Sequence, residues 1–342
     1  MSLRVGLNGA GRIGRALLRQ TLGDPAIEIV GVNDVAGAAT IAHLLRHDSV
    51  HGPFPAAAAD DGPDVLRLDG RAVRFFAERD PARIPWETVG ADVVVEATGR
   101  FSGNGGARGH LRPGVKRVLV TAVADEADAT IVLGPHDGRP PKGAKVVSCG
   151  SCTTHAATLP LWLIDRWYGI EAAQMTTVHC TTGSQHPMDA PHSDLRRARS
   201  CMLSMIPTTT SAARGIVRAL PQLEGRLSCL SVRVPTATVS LIEVVAQTKR
   251  PAEAPDVVAE RFRRAALDDP GCRGRLGASD EPLVSIDFSG DRRSSIVDLP
   301  LIERPGERLL RLIAWYDNEC GYTGRVAELL RIWSGEAPTE DR

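Results

Sequence analysis

The sequence has no excess of either charge: 41 Lys and Arg offset 41 Asp and Glu over 342 residues. That balance removes the chain-wide attraction on which nucleic-acid or acidic-membrane binding depends. Small anionic ligands, which need only local charge, remain open. Also missing is any apolar run near the roughly 20 residues of a membrane span. Strand-like sequence begins at about Leu3, leaving no place for a signal peptide. The expectation is a cytoplasmic protein with no nucleic-acid or membrane partner. The nine histidines form no HExxH arrangement, and the seven cysteines, an odd number, are scattered through a long chain. They read as reduced thiols, and no metal site is expected. There is no internal repeat.

What is present is enough chain for two domains, each with its own core. The first third alternates short β-branched runs with helix-period stretches, the pattern of a parallel sheet with crossover helices. Strands are expected at Arg4 to Leu7, Glu28 to Asn33, Asp92 to Glu96, Arg117 to Thr121, Thr130 to Leu133 and Lys145 to Ser148, and helices at Arg12 to Leu22 and Ala39 to Leu45. Between Val65 and Phe76 an alternating stretch centred on Asp69-Gly70 predicts an inserted hairpin. After Cys152 longer alternating strands, at Ala173 to Thr182, Leu227 to Val234 and Thr238 to Thr248, suggest a mostly antiparallel sheet. Its helices, at about 155 to 217 and 254 to 267, would pack on one face. The predicted class is α/β: a Rossmann-type parallel-sheet domain over 1–150, joined by a returning helix at about 321–334, and an α+β catalytic domain over 151–320.

Gly9-Ala10-Gly11-Arg12-Ile13-Gly14 fits the GxGxxG pattern, which is weak alone in a chain with 33 glycines. Context strengthens it. The run follows an apolar strand and opens a helix, and Asp34 lies 20 residues on, at the end of the second strand. Glycines let the backbone approach a pyrophosphate at the helix N-terminus, and the carboxylate suits the ribose hydroxyls while repelling a 2′-phosphate. NAD is therefore expected over NADP; Arg79, if near the adenine ribose, would weaken the preference.

Cys152 sits at a predicted strand-to-helix turn, where the helix N-terminus favours thiolate, and His179 ends the strand Met175-Thr176-Thr177-Val178. A nucleophile needs a base, so the two are a candidate pair. From the residues alone, a lone Cys and a lone His are each more often core or surface residues.

The ordered motifs NGAGRIGR (8–15), DSVHG (48–52), SCTT (151–154), MTTVH (175–179), DLRRAR (194–199), IPTTT (206–210), LSVRVPT (230–236), DEPLVSIDF (280–288), SSIVD (294–298) and WYDNE (315–319) together resemble phosphorylating glyceraldehyde-3-phosphate dehydrogenase. The resemblance runs from residue 3 to about 333. It implies that Cys152 attacks an aldehyde, that His179 acts as base, and that a thioester is cleaved by inorganic phosphate. It assigns Arg12, Ile13, Asp34, Arg79, Thr98 and Thr121 to cofactor contacts beside Gly9, Gly11 and Gly14. Asn318 is assigned to the nicotinamide carboxamide, with Tyr322 beside it. Thr182 and Arg233 match the residues that hold the substrate phosphate; Ser151, Thr153, Arg197 and Thr210, followed by Ser211, match those for the attacking phosphate. It also implies a homotetramer, with the segment around Ala190, Pro191 and His192 near a neighbouring subunit's cofactor.

Bland readings stand beside these. The arginines at 196, 197 and 199 could form a salt-bridged surface, and the Thr208 to Thr210 run could cap a helix. Arg233, in an apolar strand, needs an anion or a carboxylate. The surroundings of the pair also depart from the family. Cys149, Gly150 and His155 replace Asn, Ala and Asn, Ser184 replaces an acidic residue, Ser211 a Gly and Cys320 a Trp. Erythrose 4-phosphate or an aldehyde of specialised metabolism are alternative substrates, and a non-catalytic NAD-binding sensor is the alternative of another class. Cys149 and Cys152 form a CxxC that could oxidise reversibly; against this, Cys149 reads as a small buried residue in the place of Asn.

Overall fold

A computed structural model describes residues 2–103 and 105–335. The described residues divide into two compact units, one holding those up to Ile131, Gly138–Gly150 and those from Thr323, the other Val132–Asp137 and Ser151–Tyr322.

The first unit runs β1 (Leu3–Asn8), α1 (Arg12–Gln20), β2 (Ile27–Asn33), α2 (Ala38–Arg46), β3 (Ala58–Asp60), β4 (Val65–Leu68), β5 (Arg71–Phe76), β6 (Val93–Glu96), β7 (Arg117–Val120), β8 (Ala129–Thr130) and β9 (Val146–Ser148). These strands form one sheet in the order β3-β4-β5-β2-β1-β6-β7-β9-β8. Every pairing from β5 to β8 is parallel. All four residues of β6 are buried, as expected of a strand covered on both faces. The inserted hairpin forms where the turn chemistry predicts, with φ of 51° at Asp69 and 76° at Gly70. The strand expected at Thr130 to Leu133 is shorter. Its neighbour, β9, spans three residues, so the ladder stops at Thr130 opposite Ser148.

The second unit continues with α3 (Cys152–Tyr168), β10 (Ile170–His179), β11 (Ile206–Thr208), α4 (Ala212–Ala219), β12 (Leu227–Arg233), β13 (Ser240–Thr248), α5 (Pro255–Asp268), β14 (Leu276–Ser279), β15 (Ser295–Glu303), β16 (Leu309–Tyr316) and α6 (Cys320–Ser334). Its sheet order is β11-β12-β10-β13-β16-β15-β14. Pairing is antiparallel except for β10 with β12 and β14 with β15. Alternate strand residues, among them Met175, Ile242, Val244, Leu310 and Leu312, share one core with Leu159, Leu163, Ile216 and Phe262 from the helices. The helical stretch expected at about 155 to 217 resolves into α3 and α4 only. The β-branched run Thr176-Thr177-Val178 makes β10, and Pro187 and Pro191 keep the chain beyond it from forming a helix. From Thr323 onward α6 packs within the first unit, where Arg331 Nε pairs with Asp24 at 2.7 Å and Trp333 Nε1 donates to the Gly138 carbonyl at 2.9 Å.

Candidate active site

The turn from β1 into α1 is built by glycine geometry. Gly9 has φ +96°, and a Cβ there would meet the Thr98 amide nitrogen at 2.8 Å; a Cβ on Gly14 would sit 2.0 Å from the Gly9 carbonyl oxygen. A Cβ on Gly11 would meet nothing within 4 Å. Gly9 and Gly14 are thus demanded by the protein's own packing, whereas Gly11 borders open space. Gly11 caps α1 with no side-chain hydrogen bond and the first turn holds no acid, so its amides suit a phosphate. Asp34 follows β2 directly and accepts from the amides of Ala10 (2.8 Å) and Ala36 (2.9 Å). A cleft of about 250 Å³ lies alongside, lined by Gly9, Gly11, Asp34, Arg79 and Thr98 among others. Glycine cradle, carboxylate and cleft fit a dinucleotide.

Arg12 is committed elsewhere through its side chain. Its Nη1 reaches both carboxylate oxygens of Asp48, at 2.9 and 2.8 Å, so its main chain is what remains for a cofactor. Burial alone would raise the Asp48 carboxyl. The His51 amide, the Arg12 guanidinium and the Val50 amide outweigh burial and hold it down at about 2. Ile13 lies in the first turn of α1. Thr98 donates through its amide (2.8 Å) and its hydroxyl to Glu96 Oε1, and the Thr121 hydroxyl donates to the Glu96 carbonyl at 3.0 Å.

Sequence reasoning missed what holds Glu96. Trp86 Nε1 donates to His110 Nδ1 at 3.1 Å, which leaves the proton on His110 Nε2 to be donated to Glu96 Oε2 at 2.9 Å. Asn8 Nδ2 adds a second donor to the same oxygen at 2.5 Å. All of these side chains are buried.

In the second unit Ser151 caps α3, its hydroxyl accepting from the Thr154 amide at 3.2 Å, and this sets Cys152 at the first helical position. Cys152 Sγ lies 3.6 Å from Nε2 of His179, the last residue of β10. The parallel pairing of β10 with β12 places Arg233 directly beside His179. His179 Nδ1 is 2.8 Å from the Cys180 carbonyl, which can only accept, and 3.1 Å from Arg233 Nη1, which can only donate; the shorter contact favours the proton on Nδ1, with the Nε2 lone pair toward the thiol. Burial, and then the positive charge of Arg233, push the imidazole down to about 3. Burial also pushes the Cys152 thiol up, against the Thr153 hydroxyl and the Arg233 charge. The helix terminus was expected to favour thiolate; desolvation opposes it.

Tyr316, at the end of β16, lies beneath the pair. Its hydroxyl is 2.9 Å from both Thr153 Oγ1 and Thr177 Oγ1, and its ring meets His179 edge-on at 6.0 Å between centroids. Thr153 is therefore buried against Tyr316. Tyr316 went unmarked in the sequence, although a phenol in an apolar strand run signals a buried polar partner.

Arg233 Nη1 lies nearest to His179 Nδ1 (3.1 Å) and also approaches the Thr182 hydroxyl (3.3 Å) and the Cys180 carbonyl (3.4 Å). Its Nε is buried without a partner, and no carboxylate pairs with it among the described residues. Thr182 Oγ1 is 3.2 Å from Ser184 Oγ. The structure thus brings Cys152, His179, Thr182 and Arg233 together. Arg197 stands further off: its Nε donates to Thr208 Oγ1 at 2.9 Å and lies 3.7 Å from Asp194, while its charge still acts on His179. Thr210 accepts from the Ala212 amide at 3.1 Å, and Ser211 precedes α4 without a side-chain cap. Arg199 pairs with Asp189 on the surface at 3.1 Å. Asn318 Oδ1 accepts from the Cys180 thiol at 2.9 Å, and buried Tyr322 packs its ring 5.9 Å from that of His155. No disulfide joins any of the seven cysteines; Cys149 is fully buried and Cys152 partly exposed. Among the described residues no His, Cys, Asp or Glu cluster could hold a metal ion, and no helix is long and apolar enough to cross a membrane.

Two family models match the chain: the NAD binding domain of glyceraldehyde 3-phosphate dehydrogenase over residues 3–104 and its C-terminal domain over 151–318. The chain is 41% identical over 332 residues to the glyceraldehyde-3-phosphate dehydrogenase of Geobacillus stearothermophilus, covering 96% of this chain and 97% of that one. It is 41% identical over 331 residues to glyceraldehyde-3-phosphate dehydrogenase 1 of Bacillus subtilis (strain 168), with the same coverage. The corresponding enzyme of Streptomyces coelicolor is 40% identical over 331 residues, 96% of this chain and 98% of that one. The cofactor is NAD, and the first unit is a Rossmann domain.

Proposed function

The chain belongs to the glyceraldehyde-3-phosphate dehydrogenase family, and from that premise we propose that it oxidises glyceraldehyde 3-phosphate with NAD and inorganic phosphate to 1,3-bisphosphoglycerate. Cys152 Sγ adds to the aldehyde carbon while the thiol proton passes to His179 Nε2 and then to the new alkoxide, giving a thiohemiacetal. NAD supplies the acceptor for the hydride lost from that carbon. His179 takes the hydroxyl proton as the hydride leaves, and a thioester remains on Cys152. A phosphate oxygen then attacks the thioester carbonyl, the C–S bond breaks, and the departing sulfur recovers a proton from His179.

The observation that carries this reading is the 3.6 Å approach of Sγ to an imidazole nitrogen whose partner nitrogen is tied to the Cys180 carbonyl. Arg233 and Thr182 hold the substrate phosphate, a role supported by a buried guanidinium that no carboxylate neutralises. Ser151, Thr153, Arg197, Thr210 and Ser211 serve the attacking phosphate, with Arg197 as its cation. The reading includes a cytoplasmic homotetramer. Supporting assembly, five of the exposed large apolar side chains, Met188, Leu195, Met202, Leu203 and Met205, fall in one segment.

The test is an NADH assay across glyceraldehyde 3-phosphate, erythrose 4-phosphate and unphosphorylated aldehydes, with and without inorganic phosphate. Fastest phosphate-dependent turnover is expected with glyceraldehyde 3-phosphate. Best turnover with an unphosphorylated aldehyde would overturn the roles given to Thr182 and Arg233.

A further inference from the structure

We infer that Cys180 is a positioning residue: its thiol, by donating to Asn318 Oδ1, turns the Asn318 amide so that Nδ2 is presented to the carboxamide oxygen of NAD. The inference rests on the reading of Asn318 as the residue that meets the nicotinamide carboxamide.

Cys180 is fully buried and held at two further points. Its amide donates to Ser240 Oγ at 3.1 Å, and its carbonyl accepts from His179 Nδ1 at 2.8 Å. From that fixed backbone the sulfur lies 2.9 Å from Asn318 Oδ1. The two ends of an asparagine amide are nearly equal in size, so an apolar neighbour would not choose between them. A thiol does choose, because it is a donor and only a weak acceptor. It claims the oxygen and leaves Nδ2, with two hydrogens and no protein partner among the described residues, to seek an acceptor. A carboxamide oxygen is such an acceptor. Burial keeps the donor in place across the neutral range by pushing the Cys180 thiol up to about 12. One residue thus sets two orientations, that of His179 through its main chain and that of Asn318 through its side chain.

The test measures dissociation constants of NAD and of ADP-ribose, which lacks the nicotinamide, by calorimetry on the full chain. Cys180→Ala and the bulkier Cys180→Val, neither a donor, should weaken NAD by roughly three- to tenfold, the worth of one net hydrogen bond. Cys180→Ser, which restores a donor, should bind NAD within about twofold of the parent, and ADP-ribose affinity should hold in all three. Should Cys180→Ser bind as poorly as Cys180→Ala, the effect is packing and the proposal is overturned. It is overturned equally if ADP-ribose weakens in parallel with NAD. Asn318→Ala separates the two levels. If it weakens NAD while both apolar variants at 180 leave NAD unchanged, the Cys180 proposal alone fails; if it leaves NAD unchanged, the reading of Asn318 fails, and this proposal with it.

Discussion

The guanidinium of Arg233 acts on both Cys152 and His179, and in the same direction. A positive charge favours thiolate at Cys152 and disfavours imidazolium at His179, so removing it raises both pKa values. Arg233→Gln should therefore shift the pH profile of Cys152 alkylation by neutral iodoacetamide to higher pH; an unmoved or lowered profile would contradict the assignment. His179 also links stability to pH. The imidazole titrates at about 3 in the folded protein against 6.5 when free, so between those values only the unfolded chain takes up the proton. The contribution is complete above 6.5 and is lost as pH falls toward 3. Urea midpoints measured between about pH 4 and 7 should fall with acidification, and less steeply in His179→Asn. The same variant should lose roughly 10²- to 10⁴-fold in kcat. The closeness of Cys152 and His179 could be anticipated because each sits in a short motif that carries the family resemblance. Tyr316 and Cys180 could not be, because their roles come from strands brought together by the fold.

At the level of elements, the turn between β1 and α1 depends on Gly14 more than on Gly11. Any Cβ at Gly14 would enter the Gly9 carbonyl at 2.0 Å, so Gly14→Ala should abolish detectable NAD binding by calorimetry, whereas Gly11→Ala should leave the fold intact and weaken only the cofactor. Glu96 is a buried carboxylate held by donors from His110, Asn8 and Thr98. His110→Ala removes one of them and orphans Trp86 Nε1, at an expected cost of about 2 to 4 kcal/mol by chemical denaturation. The Asp69-Gly70 hairpin could be read directly, since its backbone demand lies within two residues. The overlong strand at Thr130 to Leu133 could not be trimmed from sequence, because its length is set by β9.

For the molecule as a whole, the nucleotide fold and the two-sheet plan follow from the alternation of periods along the chain, whereas the proposed assembly is argued from a surface. The segment carrying Met188, Leu195, Met202, Leu203 and Met205 offers water a set of apolar side chains that association would cover. Light scattering should report a tetramer, and Leu195→Glu combined with Leu203→Glu should lower the mass without unfolding either unit. The departures at Ser184, Cys149 and His155 leave Cys152 and His179 side by side, and the proposed covalent step is the part of the account on which everything else depends. It is tested most directly by mixing the protein with NAD and glyceraldehyde 3-phosphate in the absence of inorganic phosphate and following NADH and intact mass together. A burst of about one NADH per chain should accompany an acyl adduct that maps to Cys152, is released by added phosphate and is missing in Cys152→Ser. Sustained turnover without phosphate, or an adduct on another residue, would contradict the account.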